Sequence, residues 1–537
     1  MKILMIVPKY RLINHKDYGY FFPSGLAYIS AVIKKAGYEL DCLNLNHFEG
    51  KIKDIIKSQL DNQSYDVVCT GHLAIGYPII EKIINAVKNN SPNTKIILGG
   101  AIITTEPELM LDSLNVDYGV MGEGEETIIE LLDCIEKNKD FRKVDGICYR
   151  DKEKNFILTN PRKPIEDLNS LPTPDLDGLG FKEYLDNQTC EFINGSFSLY
   201  DYPRQYPVLC SRGCPYQCTF CHPILKKYRM RSLDNIFEEI ESVIKKYNIN
   251  FIFLVDDLFS VNKERLFDFC KRMKALNRKI SHKVGWFCNL TVRNIDDELL
   301  SVLKDAGCKF IGYGFESFSQ KVLDSMKKPI TPNMIENAVY KTMNVGIPFQ
   351  GNFIFGDTAE TKETAKETLD WWKKNAKGQI DLVFIQPYPG SEIYNRCIQK
   401  GIIKDKLDHI KNKLPFTNYL NMTDNMTDKE ISDLKNEIFE MKRKYCFYAI
   451  PSKIKKISKE RYNVIAKCPF CKEIMDYKNC FFENKLRISM WVPCRKCNMK
   501  FFIVSRLKKL QIDNYRRLQI VSGIYVKIRD KILKSNL

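Results

Sequence analysis

Short apolar strands alternate with helical patterns in two long stretches of this 537-residue chain, and this alternation restricts its fold more than any other feature. The first stretch covers about residues 1–135, and the second runs from Tyr206 to Tyr388. Neighbouring parallel strands need a crossover connection, which is usually a helix, whereas antiparallel strands can be joined by a short turn. The sequence therefore predicts two parallel α/β units, each with its ligand site at the carboxyl ends of the strands.

The first unit is predicted to be a Rossmann-like, doubly wound domain spanning residues 1–140. Several of its strands are followed by glycine, which lets a ligand approach the backbone closely. The candidate cofactor contacts at this edge are Thr70, Gly71, Gly99, Gly100, Gly122, Glu123 and Gly124. A hairpin and a linker follow over residues 141–195, where four prolines within residues 161–174 exclude regular structure.

The second unit is predicted to be a partial (βα)6 barrel of the TIM type over residues 196–415. Its strand–helix units number six, which is too few to close an eightfold barrel. The predicted strands cover residues 206–209, 251–257, 283–288, 309–316, 349–356 and 382–388.

Three cysteines, Cys214, Cys218 and Cys221, lie in the loop after the first predicted barrel strand. Three thiolates can ligate three irons of a 4Fe–4S cluster and leave the fourth iron open. That iron could chelate the amino and carboxylate groups of S-adenosylmethionine, and Phe220 would place an aromatic ring beside the adenine. The alternatives are a coincidental cysteine-rich loop and a zinc site that lacks its fourth ligand. Cys210 is interpreted as a strand-end residue rather than a ligand.

Residues 200–400 resemble the radical S-adenosylmethionine superfamily. Besides the cysteine triad, the matching segments are Phe-Leu-Val-Asp-Asp-Leu-Phe at 253–259, Arg293, and the segments at 312–317, 351–361 and 387–394. The resemblance implies that Arg293, Glu316 and Gly356 contact the cofactor. Asp256 and Asp257 are the candidate catalytic residues, although one of them could instead cap the following helix, and Arg293 could instead form a structural ion pair.

The first unit resembles the cobalamin-binding domain that precedes the radical domain in the cobalamin-dependent branch of this superfamily. The resemblance lies in residues 23–46, 69–77, 97–111 and 116–132. The Asp-x-His-x-x-Gly motif of proteins whose histidine binds cobalt is missing, because Leu45 stands where His47 would need an aspartate and His15 lacks the glycine. The resemblance therefore implies cobalamin without a protein ligand to cobalt; a degenerate domain that no longer binds cobalamin is the alternative.

A second cysteine cluster, Cys468, Cys471, Cys494 and Cys497, has the spacing of a zinc ribbon within residues 462–504. A second iron–sulfur cluster is the alternative, and Cys480 is not expected to be a ligand. A helical basic connector, residues 416–461, precedes the ribbon, and a basic amphipathic tail, residues 505–537, follows it. Residues 441–537 carry 25 lysines and arginines against 6 aspartates and glutamates. The tail could therefore pack on the ribbon or dock to an anionic partner.

The resemblance implies a cobalamin-dependent methyltransferase that acts on an unactivated carbon through a 5′-deoxyadenosyl radical and methylcobalamin. The alternatives are a radical cyclase or rearrangement enzyme, an RNA-modifying enzyme similar to methylthiotransferases, and a non-catalytic binding protein. The expected partners are a small-molecule or carrier-bound substrate and an electron donor such as flavodoxin or ferredoxin. The sequence shows no transmembrane segment and no signal peptide, which predicts a cytoplasmic protein.

Overall fold

The N-terminal sheet has seven strands in the order β2-β1-β3-β4-β5-β6-β7. The computed structural model describes residues 1–10, 19–190, 196–222, 227–259, 261–416, 419–482 and 484–514, so His15 and most of the basic tail lie outside the described residues. The strands are β1 (Lys2–Val7), β2 (Glu39–Asn44), β3 (Val67–Gly71), β4 (Lys95–Gly99), β5 (Tyr118–Val120), β6 (Ile147–Arg150) and β7 (Phe156–Leu158). The helices are α1 (Ser24–Lys35), α2 (Ile52–Asn62), α3 (Tyr77–Asn90), α4 (Ala101–Thr105), α5 (Pro107–Leu114) and α6 (Glu125–Lys137).

Strands β1 to β5 pair in parallel, as the alternation predicts, and the predicted Rossmann-like class is confirmed. The hairpin that the sequence analysis grouped with the linker is instead part of this sheet. Its first strand, β6, pairs antiparallel with β5, and β7 pairs with β6. Burial explains this placement, because Ile147 and Cys148 are fully buried and need the neighbouring strand to cover them.

The second unit is a six-stranded parallel sheet in the order β15-β14-β13-β12-β11-β8, which confirms the predicted partial barrel. Its strands, with a short β9–β10 pair, are β8 (Gln205–Val208), β9 (Ser211–Arg212), β10 (Arg229–Met230), β11 (Phe251–Leu254), β12 (Gly285–Leu290), β13 (Cys308–Glu316), β14 (Phe349–Phe355) and β15 (Asp381–Phe384). The helices are α7 (Phe181–Asp186), α8 (Leu233–Tyr247), α9 (Lys263–Lys279), α10 (Asp297–Asp305), α11 (Gln320–Ser325), α12 (Pro332–Val345), α13 (Lys362–Trp371), α14 (Glu392–Gln399) and α15 (Lys406–Asp408).

Helix α8 shows how the sequence encodes these elements. The Ser232 side chain accepts a hydrogen bond from the backbone N–H of Asn235 and so caps the first turn. Ile236, Ile240 and Ile244 then recur every fourth residue and are buried against the sheet. The helix ends where Asn248 adopts the left-handed conformation, at φ 54°.

The C-terminal region contains two three-stranded sheets, β16-β21-β20 and β17-β18-β19. Its elements are α16 (Asp428–Tyr445), β16 (Tyr448–Ala449), β17 (Lys453–Ser458), β18 (Arg461–Lys467), β19 (Ile474–Phe481), β20 (Ser489–Pro493), β21 (Lys500–Val504) and α17 (Arg506–Asp513). Among the described residues, no helix is both long and apolar enough to cross a membrane.

The C-terminal region packs on the amino ends of the barrel strands, opposite the cysteine triad. The amide of Gln379, just before β15, accepts a hydrogen bond from the backbone N–H of Lys500 at 2.7 Å and donates one to its carbonyl at 3.0 Å. The Lys500 ammonium lies 3.9 Å from the ring centroid of Trp491 and within 6 Å of the rings of Phe310 and Phe349. The Lys500 side chain is therefore enclosed by both units, and its Nζ atom has no hydrogen-bond partner.

We expect Lys500→Met to stabilise the protein. Burial lowers the pKa of Lys500 from 10.5 to about 7, although the nearby charges of Asp381 and Cys446 act in the opposite direction. Between about pH 7 and 10 the unfolded chain binds more protons at Lys500 than the folded protein does. The free energy of unfolding of the wild type therefore rises with pH across this window, as the penalty for burying the charge disappears. After allowance for the cation–π contacts, the variant should gain about 2–4 kcal/mol near pH 7.

Thermal unfolding of both proteins at pH 7 and pH 9.5 checks this expectation. The advantage of the variant should shrink at the higher pH, because Lys500 is then largely neutral in the folded protein and less of the penalty remains. An advantage that is equal at both values, or a loss of stability, would contradict the pKa argument.

Candidate active site

The cysteine triad lies in the loop between β9 and β10, at the carboxyl edge of the barrel. Cys214 and Cys218 are half-buried and Cys221 is exposed, whereas Cys210 is fully buried at the end of the first strand. The three sulfurs do not form part of a compact single-ion site within the described residues. A cubane cluster binds its three ligand sulfurs on three different irons, whereas a structural zinc ion needs four ligands around one point.

The two predicted catalytic aspartates have different environments. The carboxylate of Asp256 accepts hydrogen bonds from the backbone N–H of Cys210 at 2.7 Å and from the Ser211 hydroxyl at 2.5 Å. Asp256 is 1% exposed, and burial raises its pKa to about 7. These bonds tie Asp256 to the end of the first strand, and its role in the reaction stays a prediction.

Asp257 is exposed, and its charge helps to raise the pKa of Cys214 and of Cys221. Burial raises the pKa of Cys221 to about 11, and the charges of Cys218 and Asp257 add to this effect. Neither aspartate caps the following helix, since the side chain of Asn262 accepts the capping bond from Arg265. The role of Asp257 in the reaction stays a prediction.

Glu316 ends β13 in the left-handed conformation, with φ at 62°, which few residues other than glycine adopt. Its carboxylate accepts a hydrogen bond from the ammonium group of Lys328 at 2.8 Å. Burial alone would lower the pKa of Lys328, but the charges of Glu316 and Cys218 raise it. Lys328 therefore places a positive charge beside the cysteine loop, and the sequence analysis missed it because nothing in its local pattern marks it.

The other predicted cofactor contacts of the barrel lie at the same edge. Arg293 is exposed, and no carboxylate of the described residues lies within 4.0 Å of it, which argues against the structural ion pair. Gly356 follows β14 with φ at 98°, a conformation that favours glycine. Phe220 is half-buried and packs on an apolar cluster that includes Met326 and Ile393.

A cavity of about 700 Å³ lies at the carboxyl edge of the N-terminal sheet. Its walls include all seven residues that the sequence analysis proposed there, namely Thr70, Gly71, Gly99, Gly100, Gly122, Glu123 and Gly124. The aromatic side chains of Tyr20, Phe21 and Phe22 add an apolar wall. Arg212, two residues before the first cysteine of the triad, also lines the cavity, so the cavity and the cysteine loop are adjacent.

Two described histidines approach this region, and the structure gives each a partner within the protein. The Nδ1 atom of His72 accepts a hydrogen bond from the backbone N–H of Leu73 at 2.9 Å, and His72 is among the residues that line the cavity. The Nε2 atom of His47 lies 2.6 Å from the Tyr20 hydroxyl, and His47 is absent from the cavity wall.

The four C-terminal cysteines converge on one point. The sulfurs of Cys468, Cys471, Cys494 and Cys497 all lie within 4.8 Å of one another. The Cys468–Cys497 and Cys471–Cys494 distances are 3.7 and 3.6 Å. Four thiolates around a zinc ion at 2.3 Å stand about 3.8 Å apart, so the set matches a tetrahedral metal site. Cys480 is outside the set and lies 2.9 Å from the sulfur of Cys190.

Comparison with protein families identifies both α/β units. Residues 10–132 match the B12 binding domain, and residues 208–371 match the radical SAM superfamily. These ranges contain all seven cavity residues that the sequence analysis proposed and all three cysteines of the triad.

Individual proteins match across both units. The chain is 28% identical over 411 residues to an uncharacterised methyltransferase of Pyrococcus horikoshii, covering 75% of this chain and 84% of the relative. It is 25% identical to the anaerobic magnesium-protoporphyrin IX monomethyl ester cyclase of Rubrivivax gelatinosus, covering 75% of this chain and 71% of the relative. The structure of TsrM, a radical S-adenosylmethionine methyltransferase of Kitasatospora setae with cobalamin and a 4Fe–4S cluster, superposes with a TM-score of 0.59 at 17% identity, covering 75% and 76% of the two chains.

Proposed function

We propose that this chain, which belongs to the cobalamin-dependent radical S-adenosylmethionine family, transfers a methyl group to an unactivated carbon of a small-molecule or carrier-bound substrate. The observation that carries the proposal is the position of the cavity. It lies between the glycine-rich sheet edge and Arg212, at the base of the cysteine loop. A methyl donor and a hydrogen-abstracting radical can act on one carbon only if both are held close to it.

The residues present fit the cofactors of the family. When bound, a 4Fe–4S cluster with S-adenosylmethionine supplies a 5′-deoxyadenosyl radical, and cobalamin supplies a methyl group. Cys214, Cys218 and Cys221 would hold the cluster. Glu316, positioned by Lys328, and Arg293 offer opposite charges to the ammonium and carboxylate groups of S-adenosylmethionine.

The cavity wall suits a corrin better than a small polar ligand. Glycine at 71, 99 and 100 keeps the sheet edge free of side chains, and a Cβ atom at Gly71 would lie 2.9 Å from the Gly99 carbonyl. The tyrosine and phenylalanine rings opposite exclude water from this space. Four buried or half-buried cysteines at the other end of the chain form a structural site, which we propose holds zinc.

The products of S-adenosylmethionine distinguish methyl transfer from the alternative, cyclisation or rearrangement. Methyl transfer predicts that the anaerobic reduced enzyme forms both S-adenosylhomocysteine and 5′-deoxyadenosine, with the first product dependent on added cobalamin. Formation of 5′-deoxyadenosine alone, with cobalamin bound, would favour the cyclase alternative, which the cyclase relative of Rubrivivax gelatinosus supports.

We expect Gly99→Leu to block cobalamin binding without unfolding the domain. A Cβ atom at Gly99 would meet only the Thr70 carbonyl, at 3.9 Å, so the backbone tolerates a side chain there. Leucine would extend into the cavity, and we expect a loss of at least about tenfold in cobalamin affinity, which is about 1.4 kcal/mol. Gly99→Ala is the matched control and should bind cobalamin nearly as well as wild type.

Titration of the anaerobically reconstituted proteins with hydroxocobalamin, followed by its absorbance, measures both affinities. Equal binding by the leucine variant and wild type would show that this cavity is not the cobalamin site. Absence of binding by wild type would contradict the cobalamin proposal itself.

A further inference from the structure

Two arginines close the base of the cysteine loop. Strands β9 and β10 pair antiparallel, and Arg212 lies directly opposite Arg229 in this pairing. Like charges in directly opposite positions destabilise a strand pair unless a counter-ion separates them. The loop that carries the three cysteines therefore depends on an anion at its base.

That anion comes from the N-terminal sheet. One carboxylate oxygen of Glu123 accepts a hydrogen bond from Arg212 at 2.7 Å, and the other accepts one from Arg229 at 2.8 Å. Arg212 also donates to Glu125 at 2.5 Å. The side chains of Glu123 and Arg229 are only 5% and 4% exposed, so water screens these charges little.

The linker contributes a third contact. The backbone N–H of Ile165 donates to Glu123 at 2.7 Å, and the carbonyl of the same residue accepts from Arg229. Burial alone would raise the pKa of Glu123, but the bonds from the two arginines outweigh this effect and lower it. Glu123 thus stays ionised while it joins the N-terminal sheet, the linker and the base of the cysteine loop. We call the group of four charged residues at this point the interdomain latch: Glu123, Glu125, Arg212 and Arg229.

The latch connects two parts that the proposed reaction must hold together. Glu123 lies between Gly122 and Gly124 in the cavity wall, while Arg212 precedes Cys214 by two residues. The Arg212 guanidinium also lies 5.6 Å from the ring of Tyr28, on a helix of the N-terminal domain. One ion pair, Glu123–Arg212, and two residues of backbone therefore connect the wall of the cavity to the first cysteine of the triad.

We propose that Glu123 and Arg212 are positioning residues that fix the cysteine loop, and hence the cluster, at one distance from the bound corrin. This inference rests on the proposed function. The sequence analysis proposed that Glu123 contacts the cofactor directly. The positioning role takes the place of that contact for its carboxylate, since both carboxylate oxygens are already bonded to arginine. Without the latch, each unit can still bind its own cofactor, but the distance between the two cofactors is no longer held at one value.

Glu123→Gln tests the proposal, because it keeps the shape of the side chain and removes the charge that separates the two arginines. Reduced 4Fe–4S clusters and cob(II)alamin each carry unpaired electrons, so pulsed electron paramagnetic resonance can measure the coupling between them. Wild type loaded with both cofactors should show one well-defined coupling. The variant should retain iron and bind cobalamin, yet lose the single resolved coupling in favour of a broad distribution.

Glu239→Gln is the matched control. Glu239 pairs with Arg231 at 2.8 Å and is equally buried, at 4% exposure, and its other oxygen accepts a hydrogen bond from Tyr206 of the barrel. Both bonds of the Glu239 carboxylate therefore lie within the barrel, although Arg231 itself donates a long bond of 3.5 Å to the Tyr28 hydroxyl of the N-terminal domain. The control should keep the wild-type coupling. If Glu123→Gln does not fold, as judged by thermal unfolding, Glu125→Gln removes only the second partner of Arg212 and should broaden the coupling to a smaller extent.

The outcomes separate this inference from the proposed function. Retention of the wild-type coupling in the latch variant, or equal broadening in the control, would overturn the positioning role alone. Failure of wild type to bind cobalamin would instead overturn the proposed function, and the positioning role with it.

Discussion

Replacing Cys218 with alanine is expected to abolish the formation of 5′-deoxyadenosine from S-adenosylmethionine. Cys218 is the middle residue of the triad, and each of the three thiolates would ligate a different iron of the cluster. With two ligands left, the cluster should not persist. Without the cluster, no electron can be delivered to S-adenosylmethionine to cleave it. Product formation under anaerobic reducing conditions should therefore fall to background, together with the iron and sulfide content assigned to this site.

Cys210→Ala is the matched control for this experiment. Cys210 lies four residues before the triad but is fully buried at the end of β8, and its backbone N–H donates to Asp256. Loss of its sulfur leaves a small void, which costs about 1 kcal/mol of stability and should not affect the cluster. Product formation by Cys218→Ala, or a loss of iron in Cys210→Ala equal to that in Cys218→Ala, would contradict the assignment of ligands.

Local patterns were sufficient to predict the elements of both sheets. The apolar period of α8 and its serine cap fix its bounds at residues 233–247, and the strand ends place Glu316 and Gly356 at one edge. Glycines after the N-terminal strands likewise predicted the cavity wall. In each case the signal lies within a few residues of the position it describes, because strand and helix periods are local properties.

Contacts between distant segments could not be predicted in this way. Glu123 and Arg212 are 89 positions apart, and nothing near either residue indicates that they meet. Lys328 follows another lysine, Lys327, and the sequence does not distinguish the two; only the fold brings Lys328 to Glu316. The burial of Asp256 could not be predicted either, because two adjacent aspartates at a strand end differ only in which face each side chain occupies.

Removal of one ligand from the four-cysteine site is expected to have the largest effect on the C-terminal region. Cys494→Ser should lose about one zinc per chain, since metal binding to such a site contributes roughly 10 kcal/mol or more to its folding. Cys494 is fully buried between β20 and β21, so the module cannot keep its packing around an incomplete ligand set. Metal analysis and limited proteolysis of the C-terminal region report both effects.

The contacts around this site show which part of the molecule should respond. Arg495 donates to the carbonyl of Ser198 and to Asp201, and the Asn498 amide donates to the carbonyl of Gly346. These residues flank the ligands, so loss of the metal should loosen the module from the barrel and expose the ring of Phe310. The cysteine triad lies at the opposite end of the strands, and its iron content should change little.

Cys480→Ser is the matched control, because Cys480 is buried in the same module but lies outside the four-sulfur set. It should retain zinc and resist proteolysis nearly as well as wild type. The competing assignment, a second iron–sulfur cluster, predicts that Cys494→Ser loses iron rather than zinc. The sulfur separations of 3.6 and 3.7 Å favour zinc, because a cubane binds its thiolates on separate irons and spreads them further apart.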